Sequence, residues 1–374
     1  MPLTTVDQGL LSTNAQYTGF KNRIINGDMV IAQRGTGAFT VNDAAVYTVD
    51  RWFGEDVTDG AFTVQQVADA PAGFSFSARI TITTADTSLA AGQYAVFVQR
   101  IEGFNTADLA FGTADASPIT LSFRVKSSLT GTFGGVVSNG AENYSYPFTY
   151  TISAANTWET KTVSIPGATA GTWVGATNGR GMVLGFSLGS GSNFTGPAGA
   201  WAAADDRGGA TGQTNIIGTL NATWQVTGVQ IERGQTATSF DVLPYGTELA
   251  LCQRYFCKSF PQTVVPANNV AVDQAINGFG GRIQVADVMG FRSQQYFFPV
   301  TMRVTPSITM FNPLGASGTG SYFTENNLTQ NPASPGPYVT SEYNFGVWQY
   351  TGVTVGSTGT LVMVIFHYTA SAEL

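Results

Sequence analysis

Ionic residues are scarce: 17 Lys and Arg and 24 Asp and Glu make up 11% of 374 residues and leave a net charge of −7. Neither Lys nor Arg gathers into a run, so the electrostatic footprint that a phosphate backbone requires is missing and nucleic acid is not expected as a partner. One histidine and two cysteines fall short of the donor set of a zinc site. The longest unbroken apolar run, Leu361 to Phe366, is far below the roughly 18 residues of a membrane span, so no membrane insertion is expected. The opening residues lack a basic segment followed by an apolar block, and no secretory signal is read there. A soluble protein, not exported by that route, is the expectation. Charge this sparse also favours a chain whose surface is shared with copies of itself, because a monomer of this length needs more ionic residues to stay soluble.

What is abundant points to β-structure. Glycine numbers 44, and 25 Phe, 14 Tyr and 6 Trp accompany frequent Thr and Ser, a composition of short strands joined by tight turns. A chain of this length exceeds what one core usually serves, so two folded units are expected. From Asn22 to Leu243 candidate strands follow one another at short intervals, among them Arg23 to Ile25, Met29 to Gln33, Val46 to Phe53, Ile119 to Lys126 and Thr223 to Ile231, separated by turns such as Asn26-Gly27-Asp28 and Pro166-Gly167. This is the pattern of a β-sandwich. Within ATWQVTGVQIE the apolar set moves from even positions (Trp224, Val226) to odd ones (Val229, Ile231), which keeps one buried face only if Thr227-Gly228 forms a bulge. Gly189 to Gly218 is too long and glycine-rich for a hairpin and reads as a functional or flexible loop.

After Pro244 and Gly246 the texture changes. TELALCQRYF places Leu249, Cys252 and Phe256 at helical spacing with Glu248 in the first turn, which reads as one linker helix over 244–258. Cys252 and Cys257, five apart on that helix, face different ways and are expected as reduced, buried thiols. Residues 259–374 form a second β-sandwich. Its end reads as a hairpin of VWQYTGVTV and TLVMVIFHYTA, with Thr360 to Tyr368 a central strand buried on both faces, whereas Pro313 to Pro337 reads as loops.

Catalytic constellations are thin. Gly185-Phe186-Ser187-Leu188-Gly189 matches G-x-S-x-G, but Ser190-Gly191-Ser192 cannot open the helix that a nucleophile elbow needs, and the sole histidine, His367, lies in an apolar strand. Asp205, Asp206, Asp273 and Asp287 are the candidate carboxylates for glycoside hydrolysis, and no spacing singles out a pair. No enzyme is expected.

GVQIERGQTATSFDVLPYGTELALCQRYF (228–256) resembles a segment that recurs in structural proteins of tailed bacteriophages of the tail-fibre, carbohydrate-binding-module-like kind. NRIINGDMVIAQRGT, YTVDRWFG, SLTGTFGGVVSNG, YPFTYTISAANTWETKTVSIPG and the closing HYTASAEL resemble other parts of such chains. The resemblance implies an all-β protein with a virion-anchoring segment at 1–21, a jelly-roll domain at 22–243, the linker helix and a C-terminal β-domain. It also implies a homotrimer, assembled in the host cytoplasm and residing in the virion, whose N-terminal segment contacts other tail or capsid proteins. Its expected role is that of a tail fibre or receptor-binding protein contacting host surface polysaccharide. The alternative is a head fibre or capsid decoration protein, and a capsule-degrading glycosidase comes third. Sugar stacking on a jelly roll needs exposed aromatic faces, for which Trp158, Trp173, Trp201 and Tyr144 are the candidates by their places in or beside loops, whereas Trp52 and Trp224 read as core. No other cofactor is expected, but calcium is common in modules of this kind. Asp28 is the ligand the resemblance implies for it, with Gly228 standing where a second carboxylate would serve.

Overall fold

The computed structural model describes residues 21–270, 275–282, 291–292, 295–324, 327–333, 335–338, 340–349 and 361–374. Residues 1–20 of the expected anchor, and Asp273 and Asp287, lie outside the described residues. The chain divides into two compact units between Tyr245 and Gly246, with residues 33–35 grouped with the second and Leu374 with the first.

The first unit is a jelly-roll sandwich of two six-stranded antiparallel sheets. One sheet runs β1 (Phe39–Val41), β4 (Ala61–Val67), β5 (Ser77–Thr84), β12 (Thr223–Arg233), β7 (Ile119–Ser127), β10 (Glu159–Ile165). The other runs β2 (Ala45–Tyr47), β3 (Trp52–Asp56), β6 (Tyr94–Glu102), β11 (Arg180–Ser190), β8 (Gly131–Asn139), β9 (Ser145–Ile152). Alternation decides which faces meet: Ile119, Leu121, Phe123 and Val125 on β7 and Met182, Leu184, Phe186 and Leu188 on β11 are all fully buried. Phe123 and Phe186 meet edge to face at 5.1 Å between the two sheets, and Trp52 stacks on Phe97 at 5.0 Å. Each such ring stabilises the fold by roughly 1.5–3 kcal/mol through burial. Trp52 and Trp224 are core, as the sequence suggests, and their indole N–H groups donate to Asn26 O and Tyr150 OH.

The bulge in β12 is present. Thr227 pairs with Arg124 but Gln230 pairs with Ser122, so one extra residue is inserted, and Trp224, Val226, Val229 and Ile231 all stay buried. Gly228 carries it with φ of +60°, and a Cβ there would lie 2.6 Å from the Phe74 ring.

Three expectations are corrected here. Arg23 to Ile25 and Met29 to Gln33 are not strands, because Asn26 and Met29 take positive φ and the Asn26 side chain ties the turn by bonding Ile31 and Asp50. Val46 to Phe53 is broken by Arg51, also at positive φ, into β2 and β3. The helix, α1 (Tyr245–Gln253), is shorter than 244–258, because Phe256 and Cys257 pair into a sheet instead. Cys257 is therefore not on the helix; both cysteines are free and buried, as expected.

The second unit is organised on β22 (Leu361–Ser371). It pairs with β13 (Phe256–Lys258), β14 (Ile276–Arg282), β17 (Ser307–Phe311) and β18 (Gly320–Thr324), and β18 carries β19 (Asn327–Ala333) at the edge. A smaller sheet joins β15 (Phe291–Arg292), β16 (Tyr296–Phe297) and β20 (Gly336–Tyr338) to β21 (Asn344–Gln349). Phe345 and Val347 of β21 and Val364, Phe366 and Tyr368 of β22 share the core between these sheets. The central strand is thus as expected, with Val364 to Tyr368 buried on both faces and Met363 half-buried. The terminal hairpin is not: β21 and β22 belong to different sheets, and the intended turn lies outside the described residues. The segment from Pro313 to Pro337 holds β18, β19 and the start of β20, with Pro332 tolerated because β19 is an edge strand.

Candidate functional site

The β8–β9 turn organises a cluster of polar side chains on the jelly roll. The Asn139 side-chain oxygen accepts from the backbone N–H of Asn143 and Tyr144, and its amide donates to Thr172 O, so the turn is locked. Glu142, held at positive φ, joins a groove on the outer face of the second sheet; Tyr144 joins an aromatic cluster.

The groove has a valine floor of Val96, Val98, Val136 and Val183 and polar walls of Glu55, Ser138, Glu142 and Arg207. Arg207 is its hub. Its guanidinium donates to Asp205 at 2.9 and 2.6 Å, pairs with Glu142 at 3.1 Å, and lies 5.5 Å from the ring centres of Tyr94 and Phe194. Arg180 adds a second ion pair to Glu142 at 2.9 Å. Tyr94 donates to Glu55 at 2.9 Å; burial and the Glu55 charge push its hydroxyl up to about 12, so it remains a donor throughout the working pH range. Hydrogen bonds donated to Asp205 raise the Arg207 guanidinium further above its ordinary value, against burial. Ser138 is 2% exposed, and its hydroxyl oxygen has no hydrogen-bond partner, which is rare for a buried polar atom.

The Gly189–Gly218 loop supplies Arg207 and is ordered. Ser145 and Ala202 exchange backbone hydrogen bonds, Thr214 bonds to Thr132 O, and Ile217 bonds to Leu188 O with Ile216 and Ile217 fully buried. Asp205 and Asp206 point apart: Asp205 clamps Arg207, and buried Asp206 accepts from Ser145 Oγ at 2.9 Å. Ser187 of the G-x-S-x-G match lies inside β11, 2% exposed, and accepts from Gln213.

Of the aromatic candidates the structure gathers three. Tyr144 and Trp201 stack at 5.7 Å and 7°, Trp173 meets Trp201 edge to face at 5.8 Å, and Phe111 and Tyr146 complete the cluster. Both indole N–H groups are used internally, Trp201 on Pro166 O at 2.7 Å and Trp173 on Ala170 O at 3.1 Å. Trp173 and Phe111 line a cleft of ≈70 Å³ together with Thr106 and Val174. Trp158 stands apart, at the start of β10. It donates to Asp69 at 3.4 Å and lies under the Lys126 ammonium, which pairs with Asp69.

Asp28 lines a separate cleft with Val30, Phe74, Ser75, Phe240, Val242 and Tyr245. Its carboxyl is raised by burial, against lowering hydrogen bonds from the backbone of Asp28 and Val30, and its Oδ1 has no partner. Calcium takes six to eight oxygens. Here one carboxylate faces a largely hydrocarbon wall, the carbonyls of Asn26, Gly27 and Met29 already accept other donors, and no group of three His, Cys, Asp or Glu that could hold a metal occurs among the described residues. Gly228, where a second carboxylate would serve, is pressed under Phe74. These residues do not fit a calcium ion.

Sequence reasoning missed Arg207, Glu142, Glu55, Ser138 and Tyr94. The outward positions of β6, Tyr94, Val96 and Val98, alternate with the core residues Ala95 and Phe97 and were the available signal. Arg207 was not legible, since its place depends on how the long loop folds back.

No protein-family model matches the sequence, and no curated protein matches it. Among solved structures the chain is similar to the enzymatically active domain of tailspike protein 4 of bacteriophage CBA120 (13% identity, TM-score 0.31, covering 57% of this chain and 21% of that one). It is similar also to a putative sugar binding protein from Bacteroides thetaiotaomicron (11%, 0.32, 57% and 100%) and to the family 11 carbohydrate-binding module of a Clostridium thermocellum cellulase (12%, 0.27, 54% and 98%). The chain thus spans about a fifth of the tailspike chain's length.

Proposed function

We propose that this chain is a non-catalytic structural protein of a tailed-phage virion that binds host surface polysaccharide through the outer face of sheet β2-β3-β6-β11-β8-β9. The observation that carries the binding reading is the convergence of Glu55, Ser138, Glu142 and Arg207 over a valine floor. A sugar ring presents an apolar face and a hydroxyl rim; the valines of this floor are only 1–5% exposed, so what the groove offers is chiefly the fixed donors and acceptors at its edge, which suit the hydroxyls. Asp205 and Glu142 hold Arg207 in place, so little side-chain freedom is lost on binding. Ser138 Oγ, buried at the groove wall, is left without a hydrogen-bond partner by the chain itself. The virion role, the homotrimer and the anchoring of residues 1–21 rest on the sequence resemblance; three copies per fibre would multiply weak contacts by avidity. The non-catalytic reading is supported by the groove's carboxylates, since Glu142 is committed to two guanidinium groups and Glu55 accepts from Tyr94.

Ser138→Ala breaks no internal hydrogen bond and adds no volume, so it tests the groove without disturbing the fold. Binding of the full chain to host polysaccharide should fall several-fold in Ser138→Ala and at least tenfold in Arg207→Ala, with the Ser138→Ala melting temperature unchanged. Unaltered binding in both variants would refute the groove. Tight binding to bare capsids with none to polysaccharide would make the protein a decoration protein, and release of reducing sugar would overturn the non-catalytic reading.

A further inference from the structure

The cleft that holds Asp28 presents a carboxylate for which the described residues supply no cationic partner. Asp28 is half-buried, its Oδ1 has no hydrogen-bond partner, and no cationic group is among the influences on its carboxyl. Three rings stand in its walls among Val30, Val242 and Leu243: Phe74 and Phe240 meet edge to face at 5.2 Å, and Tyr245 is 54% exposed at the rim. Two glycines let these rings lie against backbone. A Cβ on Gly228 would strike the Phe74 ring at 2.6 Å, and one on Gly27 would sit 3.3 Å from the Phe240 ring and 2.2 Å from Val229 O. The cavity measures ≈230 Å³, several times the roughly 30 Å³ a water occupies in the liquid.

A half-buried carboxylate with two backbone hydrogen bonds but no ionic partner is stabilised further when a cation joins it. The faces of Phe and Tyr attract cations that are weakly hydrated and bulky, and they repel none of the alkyl groups such a cation carries. A metal ion, by contrast, needs several oxygens converging on it, and Asp28 is the one carboxylate among the residues lining this cleft. We infer that the cleft formed by Asp28, Phe74, Phe240 and Tyr245 binds an organic ammonium ion, with the Asp28 carboxylate as counter-charge and the rings as a cage around its alkyl groups. The site shares no residue with the polysaccharide groove and does not depend on that reading. Choline-type and amino-sugar ammonium groups have this chemistry in common.

Calorimetric titration of the full-length protein at neutral pH with choline chloride and with glucosamine, each against an uncharged counterpart (3,3-dimethylbutan-1-ol and N-acetylglucosamine), tests it. At least one ammonium compound should bind tenfold or more tightly than its counterpart, and which one does so identifies the source. Asp28→Asn, close to isosteric, should reduce that binding to the level of the uncharged compound, and Phe240→Leu should weaken it several-fold. Ring resonances of Phe74, Phe240 and Tyr245 in the unaltered protein should shift on titration, a readout that needs no variant. Absence of binding by either ammonium compound, equal binding of the uncharged counterparts, unchanged affinity in Asp28→Asn, or displacement of the ammonium by millimolar calcium chloride would each overturn the inference.

Discussion

His367 shows how much a residue's meaning depends on what covers it. As the sole histidine it invites a catalytic role, yet it is fully buried on β22, stacked on Phe260 at 4.0 Å with Nδ1 2.9 Å from Ser259 Oγ. Burial lowers its pKa to about 4, below the roughly 6.5 of the unfolded chain. Between those values the unfolded state binds more protons, so the contribution of the neutral ring is complete above pH 6.5 and is lost as pH falls towards 4. Unfolding free energy measured across that window should drop by about 1 kcal/mol per pH unit from this group, and His367→Phe should flatten the slope. The aromatic candidates separate on the same ground. Trp201 touches four rings and should cost about 2–3 kcal/mol when replaced by Ala, read by denaturant unfolding, whereas Trp158→Ala, with one ring face and one long hydrogen bond at stake, should cost less than about 1 kcal/mol. Sequence position placed all four near loops. It could not say that Tyr144, Trp173 and Trp201 converge and Trp158 does not, because convergence is set by which turns meet at one end of the sandwich. Cys257, its thiol pushed up to about 12 by burial, should resist alkylation in the native protein and react on unfolding.

Among elements, β12 is the most legible, and β14 and β19 of the second unit the least. The alternation of Trp224, Val226, Val229 and Ile231 cannot keep one face without an inserted residue, so the bulge is written in four apolar positions. Gly228→Ala should destabilise the protein by about 1–3 kcal/mol, from the strained φ and the Phe74 contact together, measurable as a lowered denaturation midpoint. β14 (INGFGGR) and β19 (NLTQNPA) carry no such pattern, and Gly, Asn and Pro argue against strand locally. Their extended form follows from neighbours: β22 offers its edge to β14, and β18 offers its own to β19. Tertiary pairing overrides propensity there, as it does at Phe256–Lys258, where a helical reading yields to the ladder with β22.

On the scale of the whole molecule the two units have separate cores, centred on Phe186 and its ring neighbours in one and on Phe345, Phe366 and Tyr368 in the other. Phe186→Ala and Phe345→Ala should each cost about 3–5 kcal/mol, and a double variant should show the sum to within about half a kcal/mol, since each ring belongs to its own core cluster. Composition reveals the all-β class and length the need for two cores; the polar groove stays hidden because it joins β3, β6, β8, β11 and a loop residue that no spacing connects. One feature of the second unit reaches beyond the folded state. β22 follows in the chain every strand it pairs with, and Val364 to Ala370 are buried throughout. During vectorial synthesis β13, β14, β17 and β18 therefore leave the ribosome without the strand that unites them, their edges open to other chains. The interval before β22 emerges is when nascent copies crowded on one message are most exposed to mispairing, and when a chaperone would be of most use.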